Sequence, residues 1–156
     1  MTAYLLVKMI HILSGAVLFG TGAGIAFFML RGHASGEPTT VAAVARIVVL
    51  ADYVFTATAV VVQPISGLVL IMMQGYSLTE PWLTAAYGLY LLTGLCWLPV
   101  VAIQLRLKRL AERAVVEGGP LPGAYHRLYR IWFILGWPAF AAVLGIYWLM
   151  IAKPEF

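Results

Sequence analysis

The stretch Ile47–Met73 reads IVVLADYVFTATAVVVQPISGLVLIMM, and Asp52 is its one formally charged residue. A helix crosses about 30 Å of hydrocarbon with roughly 20 largely apolar residues, so this stretch predicts a membrane span. Its polar residues are ordered. Asp52, Thr56, Ala59, Gln63 and Ser66 recur at 4-3-4-3 spacing and share one helical face. A span that is apolar elsewhere turns such a stripe toward other helices. Two readings of the stripe stand side by side: a lining for a cofactor or proton path, and bonding between helices. Asp52 falls in the half nearer Arg46 and Gln63 in the other half. Pairing of Asp52 with Arg46 or Arg130 is a further expectation. Pro64 lacks an N–H and frees the carbonyl of Val60.

Three other stretches pass the same test, at about Tyr4–Leu30, Leu83–Leu105 and Leu128–Ile151. The composition agrees. Of 156 residues, 63% are hydrophobic and only 10% charged, against about a quarter charged in a typical soluble domain; mean hydropathy is +0.95. A soluble domain of this size cannot hide so much apolar surface, and a disordered chain would not contain it. The predicted class is all-α: an integral membrane four-helix bundle occupying residues 1–156 as a single domain. The apolar run Met9–Leu30 exceeds the roughly 7–15 residues of a signal-peptide core, and it reads as a retained first span. The single cysteine, Cys96, excludes an intrachain disulfide, and no zinc-ligand spacing is present.

The net charge of +4 is sorted along the chain. Arg31, Arg46, Arg106, Lys108, Arg109, Arg113, Arg127 and Arg130, eight of the ten cations, lie in or beside connectors one and three. In a four-span chain these connectors share a side. The positive-inside rule puts them in the cytoplasm and both termini on the outer, periplasmic side. The expected location is a bacterial inner (plasma) membrane. The basic character is thereby a topology signal and an anionic-lipid contact, which argues against nucleic acid as a partner. Tyr76, Trp82, Tyr147 and Trp148 fall near the outer boundary. Tyr125, Tyr129 and Trp132 fall near the inner one. Such rings form the aromatic belts of membrane proteins.

An ionisable side chain inside hydrocarbon is expensive and marks a functional candidate. His11 lies about 10 Å inside the first span at 1.5 Å per residue. Gly15, Leu18 and Gly22 share its face. The glycines leave volume beside the imidazole for a neighbouring helix or a flat cofactor, and a neutral imidazole nitrogen is a common axial ligand of haem iron. Gly20 and Gly24 have the spacing of close helix packing. His33 and His126 fall in connectors one and three, where they can meet at an exposed interface, far in depth from His11. Tyr87, Tyr90, Gly94 and Trp97 in the third span, and Trp137, Pro138 and Gly145 in the fourth, suit helix packing or a macrocycle. Gln104, Lys108 and Glu112 form the polar face of a basic helix that extends the third span or lies at the interface.

The segments Lys8–Ile12, Met29–His33, Pro64–Gly67, Pro81–Leu83 and Lys153-Pro154 are similar to HemJ-type protoporphyrinogen oxidases. The segment Arg130–Phe140 more closely resembles a related small four-span membrane family of unknown function. The resemblance covers most of the chain and implies haem b on the first-span histidine, here His11. Two departures stand out. HemJ proteins carry a lysine shortly after the Trp-Leu of the third span, where this chain reads Thr84-Ala85-Ala86-Tyr87. They also carry an Asn-Glu pair before the fourth-span proline, where this chain has Gly136-Trp137 before Pro138.

The expected function is haem b binding with a redox or electron-transfer role. His11 would be the metal ligand, with Gly15, Gly22 and Gln63 beside the cofactor. The alternatives are a divergent protoporphyrinogen oxidase, and a non-catalytic membrane subunit or small transporter without haem. Expected partners are the lipid bilayer and either a second copy or a redox partner.

Overall fold

The computed structural model describes residues 2–154. Five helices account for nearly all of them: α1 (Thr2–Ser35), α2 (Pro38–Ala51), α3 (Ala57–Gln74), α4 (Pro81–Glu117) and α5 (Gly123–Ala152). A π-helical turn, Asp52–Thr56, joins α2 to α3. Pro38–Gln74 is thus one continuous rod, and the chain forms a bundle of four rods long and apolar enough to cross a membrane. No strand occurs among the described residues. In hydrocarbon every backbone N–H and C=O must find a partner within the protein, and a helix achieves this locally.

The rods outrun the hydrocarbon. The rod Pro38–Gln74 and α4 have 37 residues each, or about 55 Å at 1.5 Å per residue. The first connector, which the sequence places over Arg31–Arg46, shrinks to Gly36-Glu37, because α1 runs on to Ser35 and Pro38 opens the next helix. Proline fits that first position, since its missing N–H has no partner there anyway. The basic helix after the third span is the end of α4 itself. It stops at Gly118, which caps it in the left-handed conformation with φ 64°.

Two cores hold the bundle. At the basic end, Ile25, Met29, Val41, Ala42, Val48, Ile103, Leu107, Ala111, Tyr125, Tyr129 and Trp132 pack together from all four rods. At the end that carries the termini, Ile71, Trp82, Leu83, Ala86 and Leu149 form a smaller cluster. Large apolar side chains such as Leu5, Ile12, Phe27, Ile47, Leu50, Leu91 and Ile134 point outward, as expected where the solvent is lipid. Close approach of rods depends on small residues at fixed places. A Cβ on Gly32 would lie 3.2 Å from both Cβ and Cγ1 of Val44.

Gly32→Leu is therefore expected to force α1 off α2 and lower stability by about 1–3 kcal/mol, the usual cost of overpacking. The thermal midpoint in detergent reads this out. Val44→Ala in the same chain should recover part of the loss.

Candidate functional site

The polar stripe read from Ile47–Met73 faces the bundle. Asp52, Thr56, Ala59 and Ser66 are buried, and Gln63 is partly buried. The structure divides its residues between two hydrogen-bonded clusters.

The first cluster joins α1 to α3 in the half nearer the termini. His11 Nδ1 lies 2.9 Å from Ser66 Oγ. The single hydroxyl proton of Ser66 is donated to the Val62 carbonyl at 2.7 Å, so Ser66 accepts and His11 Nδ1 carries the proton. The other nitrogen, Nε2, is then the acceptor and faces Gln63 Nε2 at 3.4 Å. Gln63 Oε1 in turn accepts a short hydrogen bond from the Ser14 hydroxyl. These assignments form one consistent chain: Ser14 to Gln63 to His11 to Ser66 to Val62. It needs a neutral imidazole with a proton on Nδ1.

Two glycines make room for it. A Cβ on Gly67 would stand 3.1 Å from His11 Cε1. One on Gly15 would stand 3.1 Å from the Tyr147 hydroxyl and 3.3 Å from Gln63 Nε2. The structure thus brings His11, Gly15 and Gln63 together, and the face of Gly15 is filled by Gln63 and Tyr147. Gly22 is not part of the group, since a Cβ there meets nothing within 4 Å. Phe19 bridges to α5 above this level, stacking on Phe140 at 5.1 Å and edge-on to Tyr147 at 5.8 Å.

Pro64 has the effect expected of it. The Tyr90 hydroxyl reaches across from α4 and donates to the freed Val60 carbonyl at 2.5 Å. Of the aromatic residues in the third span, Tyr90 and Trp97 turn inward to polar partners, whereas Tyr87 faces outward.

The second cluster lies in the half nearer the basic end. Asp52 is 3% exposed. Its Oδ1 accepts from Trp97 Nε1 at 3.1 Å. Its Oδ2 accepts from the amide of Gln104 at 2.9 Å, and the Gln104 oxygen accepts from Trp132 Nε1 at 3.3 Å. The indole N–H only donates, and it thereby sets which way the amide points. The expected ion pair of Asp52 with Arg46 or Arg130 is not formed. Arg46 sits six residues nearer the basic end and reaches Glu112 at 3.7 Å. By sequence Gln104 and Trp132 read as part of an interfacial helix face and as a belt residue; in the fold both belong to the interior. Gln104 is the only amide in the largely apolar run from Leu83 to Leu105, and that isolation is the available signal.

His33 and His126 do meet, with ring centroids 5.7 Å apart. His126 is exposed. His33, expected to be exposed as well, is only partly so; it stacks on Tyr129 at 3.6 Å with the rings 13° apart. Among the described residues no group of three or more His, Cys, Asp or Glu side chains is placed to hold a metal ion.

Four apolar rods around a few buried, hydrogen-bonded polar side chains define a multi-pass integral membrane protein. Residues 5–154 match the family described as "Predicted integral membrane protein (DUF2269)", and the chain belongs to that family. No curated protein and no solved structure matches it.

Ser66→Ala removes the acceptor of His11 Nδ1 and should cost about 1–3 kcal/mol, as for an abandoned buried donor. Ser77→Ala, whose hydroxyl bonds only Thr79 in an exposed turn, should stay within about 0.5 kcal/mol. Thermal unfolding of the two variants in detergent checks the contrast.

Proposed function

We propose that this chain is a haem b-binding membrane protein with a redox or electron-transfer role, and that His11 would hold the iron through Nε2. The observation that carries the reading is the 2.9 Å contact of His11 Nδ1 with Ser66 Oγ. Ser66 holds the proton of His11 on Nδ1, so Nε2 presents a lone pair. A hydrogen bond from the second ring nitrogen to a neighbouring oxygen is the usual support of a ligating imidazole. Nε2 would be a neutral nitrogen ligand once the Gln63 amide, 3.4 Å away, moves aside. When bound, haem supplies one-electron chemistry. The chain's own part is to orient the ring through Ser66, to keep Gly67 bare against it, and to place the Gln63 amide beside Nε2. Gly15 lets Gln63 and Tyr147 approach. The similarity of Lys8–Ile12 to the HemJ opening supports the same residue.

A second reading is a membrane subunit or small transporter without haem. It is favoured by the same circuit taken as complete: both nitrogens of His11 already have protein partners. A divergent protoporphyrinogen oxidase has weaker support, because Thr84–Tyr87 and Gly136-Trp137 lack the polar residues of the HemJ pattern. We further propose a bacterial inner membrane with both termini outside, from the eight cations gathered at one end of the bundle. The partners we propose are a second copy or a redox partner.

Protein purified from haem-replete cells should show a Soret band that His11→Ala abolishes or shifts. Absence of the band in the native chain, or a band unchanged in His11→Ala, overturns the haem reading. Complementation of an oxidase-deficient strain tests the oxidase alternative. Sidedness is checked with single cysteines introduced at Gly119 and Ser77 in a Cys96→Ala background. In intact cells a membrane-impermeant maleimide should label position 77 and spare 119. The opposite pattern reverses the topology.

A further inference from the structure

The carboxyl of Asp52 takes no part in the His11 cluster, and every group bonded to it is neutral. Trp97 and Gln104 donate to its two oxygens, and Trp132 locks the Gln104 amide. Among the described residues the salt bridges join Arg46 to Glu112 and Arg113 to Glu117, and none reaches Asp52. α1 has no ionisable residue between His11 and Arg31, and α5 has none between Arg130 and Tyr147. Between Glu80 and Arg106, α4 has only Tyr87, Tyr90 and Cys96. On its own rod, Tyr53 points outward and Arg46 is paired with Glu112. A carboxylate left in hydrocarbon without a cation is strongly disfavoured, and binding a proton removes the charge.

Two further observations concern what reaches it. Asp52 opens a π-helical turn, with the N–H of Ala57 returning to its carbonyl; such turns break helical regularity and recur at functional sites. Buried polar atoms with no protein partner also lie on both sides of it. Thr56 Oγ1 is one turn further along the stripe. His33 Nδ1 and the hydroxyls of Tyr125 and Tyr129 lie toward the basic end. Tyr125 and Tyr129 are 1% and 7% exposed. In proteins, ordered water is the usual partner of such atoms where the site has room for it. The ring of Trp132 lies 5.6 Å from that of Tyr129. Tyr129 stacks on His33, and His33 meets the exposed His126. A row of side chains thus runs from the surface at the basic end to the partners of Asp52.

We propose that Asp52 is a proton-binding site within the membrane, and that His33, Tyr125 and Tyr129 form its hydrated inlet from the basic end. The step is a transfer with no redox change. A hydrated proton at the basic end passes along water at the inlet. An O–H bond forms on a carboxylate oxygen of Asp52, and its charge goes from −1 to 0. The inference stands apart from haem binding and survives if His11 binds none.

The sequence makes the test specific. Asp52 is the only aspartate, and the chain contains no asparagine, so aspartate isotope-labelled at the γ-carbon reports this carboxyl alone. The full chain is reconstituted in liposomes and infrared difference spectra are recorded against pH. A labelled carboxylic-acid C=O band should grow on acidification, shift in D2O, disappear in Asp52→Asn and move in Asp52→Glu. The Glu variant keeps the experiment decisive if the Asn variant does not fold. A carboxylate signature that persists at every pH where the protein remains folded overturns the site. After a jump into D2O, the shift of the band should be at least tenfold slower in His33→Phe than in the native chain. Equal rates overturn the inlet.

Discussion

Hydrocarbon offers no hydrogen-bond partner, and this one constraint organises the molecule. It forces the backbone into long helices and leaves the polar side chains to find partners among themselves. The few polar groups admitted to the interior are therefore informative, because each costs free energy unless its own or another rod satisfies it. Ser66 returns its proton to the Val62 carbonyl and accepts from His11. Tyr90 caps the carbonyl that Pro64 leaves free. The bonds from His11 and Tyr90 cross between rods and fix their rotation, which apolar packing against lipid-like neighbours specifies poorly.

The two interior clusters solve the problem differently. Around His11 the donors and acceptors match, each nitrogen is used once, and no charge is required. Around Asp52 the hydrogen bonds are also matched, but a carboxylate there keeps a charge that nothing opposite cancels. Neutral N–H donors in place of a cation orient a carboxylate without neutralising it. The first arrangement is complete as a neutral group. The second becomes neutral only when a proton is bound.

The fold is legible in the sequence because hydrophobic length and the side-to-side sorting of cations are properties of single segments. The four spans and the inward stripe of the second come from counting along the chain. Element ends are less legible. The connector expected over Arg31–Arg46 is almost wholly helical, since polar residues beyond the hydrocarbon are as compatible with a helix as with a loop. The site is legible in its residues more than in its pairings. His11, Gln63, Ser66 and Asp52 stand out as polar groups in apolar runs, and nothing local says that Ser66 meets Nδ1 of His11 or that Gly67 makes room for Cε1. Those are facts about the rotation of α1 against α3. Gln104 and Trp132 sit near basic residues and so read as interfacial, and only the long helices of the bundle reveal that both point inward.

Both clusters rest on one rod, and the π-helical turn begins at Asp52 and ends before Gln63 and Ser66. A residue inserted into a helix rotates the remainder of that helix by about 100°, given 3.6 residues per turn. The turn at Asp52–Thr56 therefore sets the rotation of Gln63 and Ser66 relative to α2, which is packed on α4 through the core at the basic end. On an unbroken helix the same residues share one face by their 4-3-4-3 spacing; across the turn, Asp52 bonds α4 while Gln63 and Ser66 bond α1. The irregular turn is the geometric condition that lets one span present polar side chains to α4 at one depth and to α1 at another.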